Sequence, residues 1–171
     1  TENSQGVFCI CAVKNHAEIS DFNTLGKYIA LENLQDPSNL GAICRSAEAL
    51  GLDGLIVSGG CDINNPKALR AAMGSSMRIS LIEPQNLVAL LEAAQANGMQ
   101  TYASVPRSDA SDIRKVSLDG GVIICVGNEG NGLSQAVTDA CKDAVTIPMG
   151  GRAESFNASA AAAILAWELV R

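Results

Sequence analysis

Residues 122–133 read VIICVGNEGNGL, an apolar run that ends abruptly in a glycine-rich turn. The run is continuous rather than alternating, which is typical of a strand buried on both faces of a parallel sheet. The turn holds Gly127, Gly130 and Gly132, and residues without side chains let ligand atoms approach backbone amides closely. Because α/β folds bind ligands at the carboxyl ends of strands, the turn is a candidate binding loop. The alternative is a tight strand-to-helix turn that binds no ligand.

Outward from this stretch, short apolar runs alternate with helical patterns along the chain. The runs predict strands at residues 7–13, 28–31, 54–58, 79–82, 99–105, 121–126 and 144–147. The spacing of apolar residues predicts helices at 40–50, 66–72, 84–97, 133–141 and 155–171, and residues 107–118 are the most loop-like interior segment. Strands separated by helices indicate an α/β fold with a mostly parallel sheet flanked by helices.

A second segment with chemical potential is residues 36–45, DPSNLGAICR, where a polar turn precedes a helix. Ser38 or Asn39 can cap that helix. The apolar stripe of the helix faces the core, so Arg45 is predicted to point away from the core. A guanidinium in that position can hold a phosphate in a two-pronged grip. The alternative is an ordinary surface arginine.

A third segment, residues 147–160, reads IPMGGRAESFNASA. A strand ends at a proline, and a glycine pair leads into a helix that is predicted to open with Ser155 and Asn157. The start of such a helix offers a hydroxyl, an amide and free backbone N–H groups together. The alternative is a capped, buried helix. Further along it, Ile164, Trp167 and Val170 form a stripe that belongs either to the core or to a contact with a partner subunit.

Composition limits the classes of function. The net charge of −6 argues mildly against nucleic-acid binding, although local patches decide such binding. No apolar run reaches the length of a membrane span, so no membrane association is expected. The six cysteines form no CxxC pair, so we expect no metal site and free thiols in a reducing cytoplasm. His16 is the only histidine, and its polar surroundings indicate a surface turn.

Taken in order, the three segments, together with residues 64–75 (NNPKALRAAMGS), resemble the motifs of the SpoU/TrmH-type RNA 2′-O-ribose methyltransferase family in the SPOUT superfamily. The likeness covers residues 28–171. It implies an α/β fold whose C-terminal segment forms a trefoil knot, with S-adenosylmethionine bound in a bent form in the knot. It also implies a homodimer with each active site at the interface, and methylation of a ribose 2′-hydroxyl of rRNA or tRNA.

The resemblance also implies roles for individual residues. The catalytic residues it implies are Asn39, Arg45, Glu129, Ser155 and Asn157, and the cofactor-binding residues, acting largely through backbone groups, are Gly127, Ile147, Met149 and Phe156. Phe156 stands where leucine is common in the family, and Ala158 where valine is frequent. Both changes are apolar and bear on the shape of the cofactor pocket.

Mechanistically, a ribose hydroxyl is a poor nucleophile near neutral pH, so a group must accept or polarise its proton. An arginine is always charged and makes a poor general base. We therefore expect Arg45 to grip the phosphate next to the target ribose, while that phosphate helps to accept the proton. Asn39, Ser155 and Asn157 would orient Arg45 and the substrate, and Glu129 would fix Arg45 or a neighbouring amide.

For domain organisation, we expect residues 1–6 to be the remnant of a linker and residues 7–171 to be the catalytic domain. Ser4-Gln5-Gly6 resembles the end of the linker that joins an N-terminal RNA-binding domain to such enzymes. The catalytic domain alone is then expected to bind cofactor but to methylate RNA poorly. Three alternatives stay open: an inactive knotted dimer that binds RNA or an assembly partner, a SPOUT enzyme that methylates a base nitrogen, and a nucleotide-binding oxidoreductase, which the missing GxGxxG disfavours.

Overall fold

A computed structural model of the protein describes residues 6, 10 and 22–171. Apart from residue 10, the predicted strand at 7–13 lies outside the described residues, and so does His16. The strands are β1 (Lys27–Glu32), β2 (Gly54–Ser58), β3 (Ser80–Ile82), β4 (Gln100–Ser104), β5 (Ser111–Asp112), β6 (Val122–Val126) and β7 (Asp143–Thr146). The α-helices are α1 (Pro37–Ala49), α2 (Pro66–Ala72), α3 (Leu87–Ala96), α4 (Gln135–Ala140) and α5 (Ala158–Val170). Short 3-10 turns occur at Ser75–Met77 and Ile113–Lys115.

The strands form one seven-stranded sheet in the order β3-β2-β1-β6-β4-β7-β5. All the paired strands run parallel, which confirms the predicted α/β class. The segment 107–118, predicted as a loop, instead contributes the edge strand β5 and a 3-10 turn, because two of its residues pair with β7. The trefoil knot stays an implication of the resemblance.

Alternate residues of the central strands divide the apolar core between the two faces of the sheet. In β1, Ile29 and Leu31 pack with α1 and α5, whereas Tyr28 and Ala30 pack with α3. In β6, Val122, Ile124 and Val126 belong to the first of these clusters, and Ile123 and Cys125 belong to the second. Burial on both faces explains why these strands appear in the sequence as continuous apolar runs. Cys125 is a core residue, as predicted.

The helices begin at side-chain caps that differ from several predicted starts. Asp36, rather than Ser38 or Asn39, caps α1, since its carboxylate accepts from the Ser38 N–H at 2.9 Å. The helix predicted from residue 84 begins at Leu87 behind the Asn86 cap, and that predicted from residue 133 begins at Gln135 behind Ser134. The last helix begins at Ala158 rather than Ser155, because Asn157 caps it. These residue types accept bonds from N–H groups that a helix leaves free.

Helices α1 and α2 approach each other most closely at Gly41. A Cβ atom there would lie 2.3 Å from the Ala68 carbonyl oxygen and 2.6 Å from the Ala71 Cβ. The two backbones are therefore in direct contact, and only glycine fits between them. This contact fixes the position of α1 against α2.

We expect Gly41→Ala to lower the free energy of unfolding by about 1–3 kcal/mol, the usual cost of overpacking a core. Helix propensity alone would favour alanine by about 0.5–1 kcal/mol, so the sign separates the two effects. Urea denaturation measures the difference. Gly150→Ala is the matched control, because a Cβ at Gly150 meets nothing within 4 Å. A Gly41→Ala protein as stable as the unmodified protein would contradict the close contact.

Candidate functional site

A cleft of about 400 Å³ lies over the carboxyl ends of β4, β6 and β7. Three loops and the start of α5 form its walls. The lining residues are Ser104, Val105, Pro106, Arg107, Val126, Gly127, Asn128, Glu129, Gly130, Asn131, Gly132, Leu133, Thr146, Ile147, Met149, Ser155, Phe156, Ala158 and Ala161. This is the edge of a parallel sheet where ligands bind, next to the point at which the strand order changes direction between β1 and β6.

The glycine-rich loop between β6 and α4 folds back on itself. Asn128 and Gly132 exchange backbone hydrogen bonds of 3.0 and 2.9 Å, and the Asn128 side chain accepts from the Gly130 N–H at 2.8 Å. A Cβ at Gly127 would lie 2.1 Å from the Gly132 carbonyl carbon and 2.2 Å from the Leu133 nitrogen. The loop therefore needs glycine at its first position.

A chain of hydrogen bonds joins the three sequence segments behind the cleft. The Asn39 Nδ2 donates to the Glu129 carboxylate at 2.9 Å, and the Asn157 Nδ2 donates to the Asn39 Oδ1 at 3.2 Å. Asn39 is buried, so both ends of its amide are satisfied by partners from distant parts of the chain. The Asn157 Oδ1 meanwhile accepts from the Ser159 N–H at 2.9 Å and caps α5.

The Glu129 carboxylate receives further bonds from the turn after β1. The backbone N–H groups of Gln35 and Asp36 donate to it at 3.2 and 3.4 Å. Partial burial raises the pKa of Glu129, but the hydrogen bonds from Asn39 and from the backbone amides outweigh that effect, and the net pKa is lowered. Glu129 therefore carries a negative charge at neutral pH, held against the start of α1.

The structure brings most of the predicted site residues together. Gly127, Ile147, Met149 and Phe156, predicted for the cofactor, line the cleft with Glu129 and Ser155, while Asn39 and Asn157 connect behind Glu129. Of the two roles expected for Glu129, the contacts match the fixing of a neighbouring amide. Arg45 is exposed on α1, as predicted, and lies outside the lining of the cleft.

Sequence reasoning missed one wall of the cleft, residues Ser104 to Arg107 after β4. Arg107 is the cation among the lining residues, and its Nε lies 3.3 Å from the Asp109 carboxylate. The sequence signal that could have pointed to this wall is the polar stretch that follows the strand predicted at 99–105. Only the strand order, which places β4 between β6 and β7, shows that this strand end faces the cleft.

Two classes of site are missing from the described part of the chain. Residues 22–171, with 6 and 10, contain no group of three or more His, Cys, Asp or Glu side chains that could hold a metal ion. Among the same residues, none of the helices has the length and apolar character needed to cross a membrane.

Comparison with known proteins identifies relatives. The sequence model of the SpoU rRNA Methylase family matches residues 26–167. The 23S rRNA (guanosine(2553)-2′-O)-methyltransferase RlmP of Bacillus subtilis is 32% identical over 170 residues, which cover 99% of this chain and 66% of that protein.

Solved structures of RNA methyltransferases also resemble the fold of this chain. An AdoMet-bound rRNA methyltransferase from Sinorhizobium meliloti has a TM-score of 0.83 and 30% identity, over 91% of this chain and 60% of that one. The SpoU methyltransferase AviRb from Streptomyces viridochromogenes, in complex with the cofactor AdoMet, has a TM-score of 0.76 and 32% identity, over 84% and 56%. The chain thus spans about three fifths of the length of the solved structures that it matches. By its sequence and its fold, the chain belongs to the SpoU rRNA methylase family.

Proposed function

We propose that this domain transfers a methyl group from S-adenosylmethionine to a ribose 2′-hydroxyl of rRNA or tRNA in the cytoplasm. The observation that carries the proposal is the convergence of three distant segments on one cleft, through the bonds from Asn39 to Glu129 and from Asn157 to Asn39. The family is one of RNA methylases, and the Bacillus subtilis relative is named as a 2′-O-methyltransferase. These names support the class of reaction and of substrate.

The cleft suits a cofactor with a flat base and a short polar tail. Its volume lies within the usual range for small-molecule sites. Val126, Leu133, Ile147 and Phe156 supply apolar walls, and the folded loop that begins at Gly127 brings its backbone close to the cleft. When bound, S-adenosylmethionine supplies an electrophilic methyl group on a positively charged sulfur. The negative charge of Glu129 at the wall favours a cationic ligand.

Arg45 is the residue that we propose for the RNA side of the reaction. It is exposed on α1, and in the described part of the chain it forms no ion pair. Its guanidinium is therefore available to grip the phosphate beside the target ribose, and that phosphate helps to accept the hydroxyl proton. Asn39, Ser155 and Asn157 orient Arg45 and the substrate at the wall of the site. Most of the increase in the rate of methyl transfer then comes from positioning the reacting groups.

A homodimer completes this proposal. Because Arg45 lies outside the lining of the cleft, an active site that uses both features is assembled most simply at an interface between two subunits. Helix α5 carries two exposed apolar side chains, Trp167 and Val170, on the stripe noted in the sequence. Such side chains are typical of the buried centre of an interface.

The location of the methyl group tests the proposed reaction. The protein is incubated with total RNA and labelled S-adenosylmethionine, and the RNA is then digested for nucleoside mass spectrometry. We expect the label on ribose, with the neighbouring linkage resistant to alkali, since a methylated 2′-oxygen cannot attack its phosphate. Label on a base nitrogen would contradict ribose methylation and would indicate a base methyltransferase instead. Binding of RNA and cofactor without transfer would indicate an inactive RNA-binding dimer.

For Arg45, we expect Arg45→Ala to lower methyl transfer by at least ~100-fold, as when a positioned transition-state contact is lost. Cofactor affinity and melting temperature should hardly change, because the side chain is exposed. Arg45→Lys should recover little activity, since it keeps the charge but loses the planar fork. Arg114→Ala, at an exposed arginine outside the cleft lining and outside α5, is the control. Retained transfer in both Arg45 variants would make Arg45 an ordinary surface residue.

For the dimer, we expect sedimentation at tens of micromolar to show two copies of the chain, a range in which specific interfaces hold. Trp167→Glu should shift the protein to monomer, because a charge at a buried interface is costly. Leu25→Glu, at an exposed apolar residue outside α5, is the matched control and should leave the dimer intact. A protein that is monomeric throughout would remove the shared active site.

A further inference from the structure

A buried carboxyl group at the end of β1 has no role in the mechanism described above. Glu32 is the last residue of β1 and is 8% exposed. Its two oxygens accept from the Ser134 N–H at 2.8 Å and from the Ser134 hydroxyl at 2.7 Å. Both distances are short, as expected for well-aligned bonds to a carboxyl group. Within the described residues, Ser134 is the hydrogen-bond partner of Glu32. Because burying a carboxyl group without partners is costly, these bonds fix where Ser134 lies.

Ser134 marks the end of the glycine-rich loop. It caps α4, with its hydroxyl oxygen 3.3 Å from the Val137 nitrogen. The loop therefore runs from the end of β6 at Val126 to a residue that Glu32 fixes from the neighbouring strand β1. Since strand β1 is part of the rigid centre of the sheet, Glu32 transmits that rigidity to the far end of the loop.

The same stretch of chain after β1 anchors the loop at two other points. The Asn128 Nδ2 donates to the Asn33 carbonyl at 2.8 Å, and Glu129 accepts from Asn39. These two contacts hold the first half of the loop. The Glu32 contact with Ser134 ties the second half of the loop, where Gly132 and Leu133 line the cleft, directly to β1, in addition to the backbone bonds between Gly132 and Asn128.

We propose that Glu32 is a positioning residue for the cofactor: acting through Ser134, it holds the glycine-rich loop in the conformation that binds S-adenosylmethionine. This inference rests on the proposed function, since it concerns the same cleft. Without both acceptor oxygens, the second half of the loop loses its direct bond to β1 and is held through the bonds between Asn128 and Gly132. Binding of the cofactor then has to restore the loop geometry, which weakens affinity.

Titration calorimetry with S-adenosylhomocysteine tests the proposal. Glu32→Leu keeps a similar volume and removes both acceptors, so we expect the dissociation constant to rise at least about tenfold, the ratio expected for loss of two hydrogen bonds. Glu32→Gln retains one acceptor oxygen and should lose less affinity. Ser134→Ala should weaken binding, and Ser134→Thr, which keeps the hydroxyl, should restore most of it.

Glu48→Leu is the matched control. Glu48 also accepts from a serine hydroxyl, that of Ser75 at 3.1 Å, and from Arg78. It lies on α1, bonds to residues at the 3-10 turn, and is not part of the cleft lining. Its loss should lower the melting temperature and leave the dissociation constant within about twofold, since surface contacts of this kind affect stability alone.

The affinity readout separates positioning from simple loss of folding. An irreversibly misfolded fraction lowers the stoichiometry and the kcat at an unchanged dissociation constant and KM, and measurement well below each variant's melting temperature excludes reversible unfolding, which would itself raise the apparent dissociation constant. Positioning instead raises the dissociation constant and the KM for the cofactor at full stoichiometry, with little change in kcat. We expect the second pattern for Glu32→Leu.

The outcomes also distinguish this inference from the proposed function. If the unmodified protein binds S-adenosylhomocysteine and Glu32→Leu binds it equally well, the positioning role is wrong and the proposed function stands. If Glu32→Leu shows only reduced stoichiometry, Glu32 is a folding residue and the inference is overturned. If the unmodified protein binds no S-adenosylhomocysteine at all, both proposals fail together.

Discussion

The hydrogen bond from Asn39 to Glu129 joins parts of the chain that are 90 residues apart, and the arrangement of the site depends on it. Asn39 is buried at the first turn of α1, so its amide needs partners for both its donor and its acceptor. Glu129 satisfies the donor and Asn157 satisfies the acceptor. Loss of Glu129 or of Asn157 leaves one end of the buried Asn39 amide unpaired, which couples the glycine-rich loop, α1 and α5 into one unit.

This coupling explains how the site can hold the negatively charged Glu129 where the negatively charged RNA is proposed to bind. The charge of Glu129 is stabilised locally, by Asn39 and by the backbone N–H groups of Gln35 and Asp36, and it requires no cation. No arginine is bound to Glu129, and Arg45 forms no ion pair within the described residues. The net charge of −6 therefore says little about the site, since local patches decide what binds.

The sequence predicted those features that depend on local patterns. Continuous apolar runs identified β6 because burial on both faces leaves no polar residue in it, and helical spacing predicted that Arg45 points outward. The helix starts were less accurate, since the choice between Asp36, Ser38 and Asn39 as a cap depends on backbone direction. Glu32 was missed for a related reason: its partner Ser134 is 102 residues away, and no local pattern connects the two.

What could not be predicted follows from the order of the strands. The chain visits β4 before β6, yet the sheet places β4 between β6 and β7, so a strand end with an unremarkable sequence becomes a wall of the cleft. The same order places β1 beside β6, which brings Glu32 within reach of Ser134. The buried Glu32 side chain of β1 thus contacts the loop that follows a different strand, β6. In this fold the rigid sheet fixes the loop, and the loop in turn shapes the cleft.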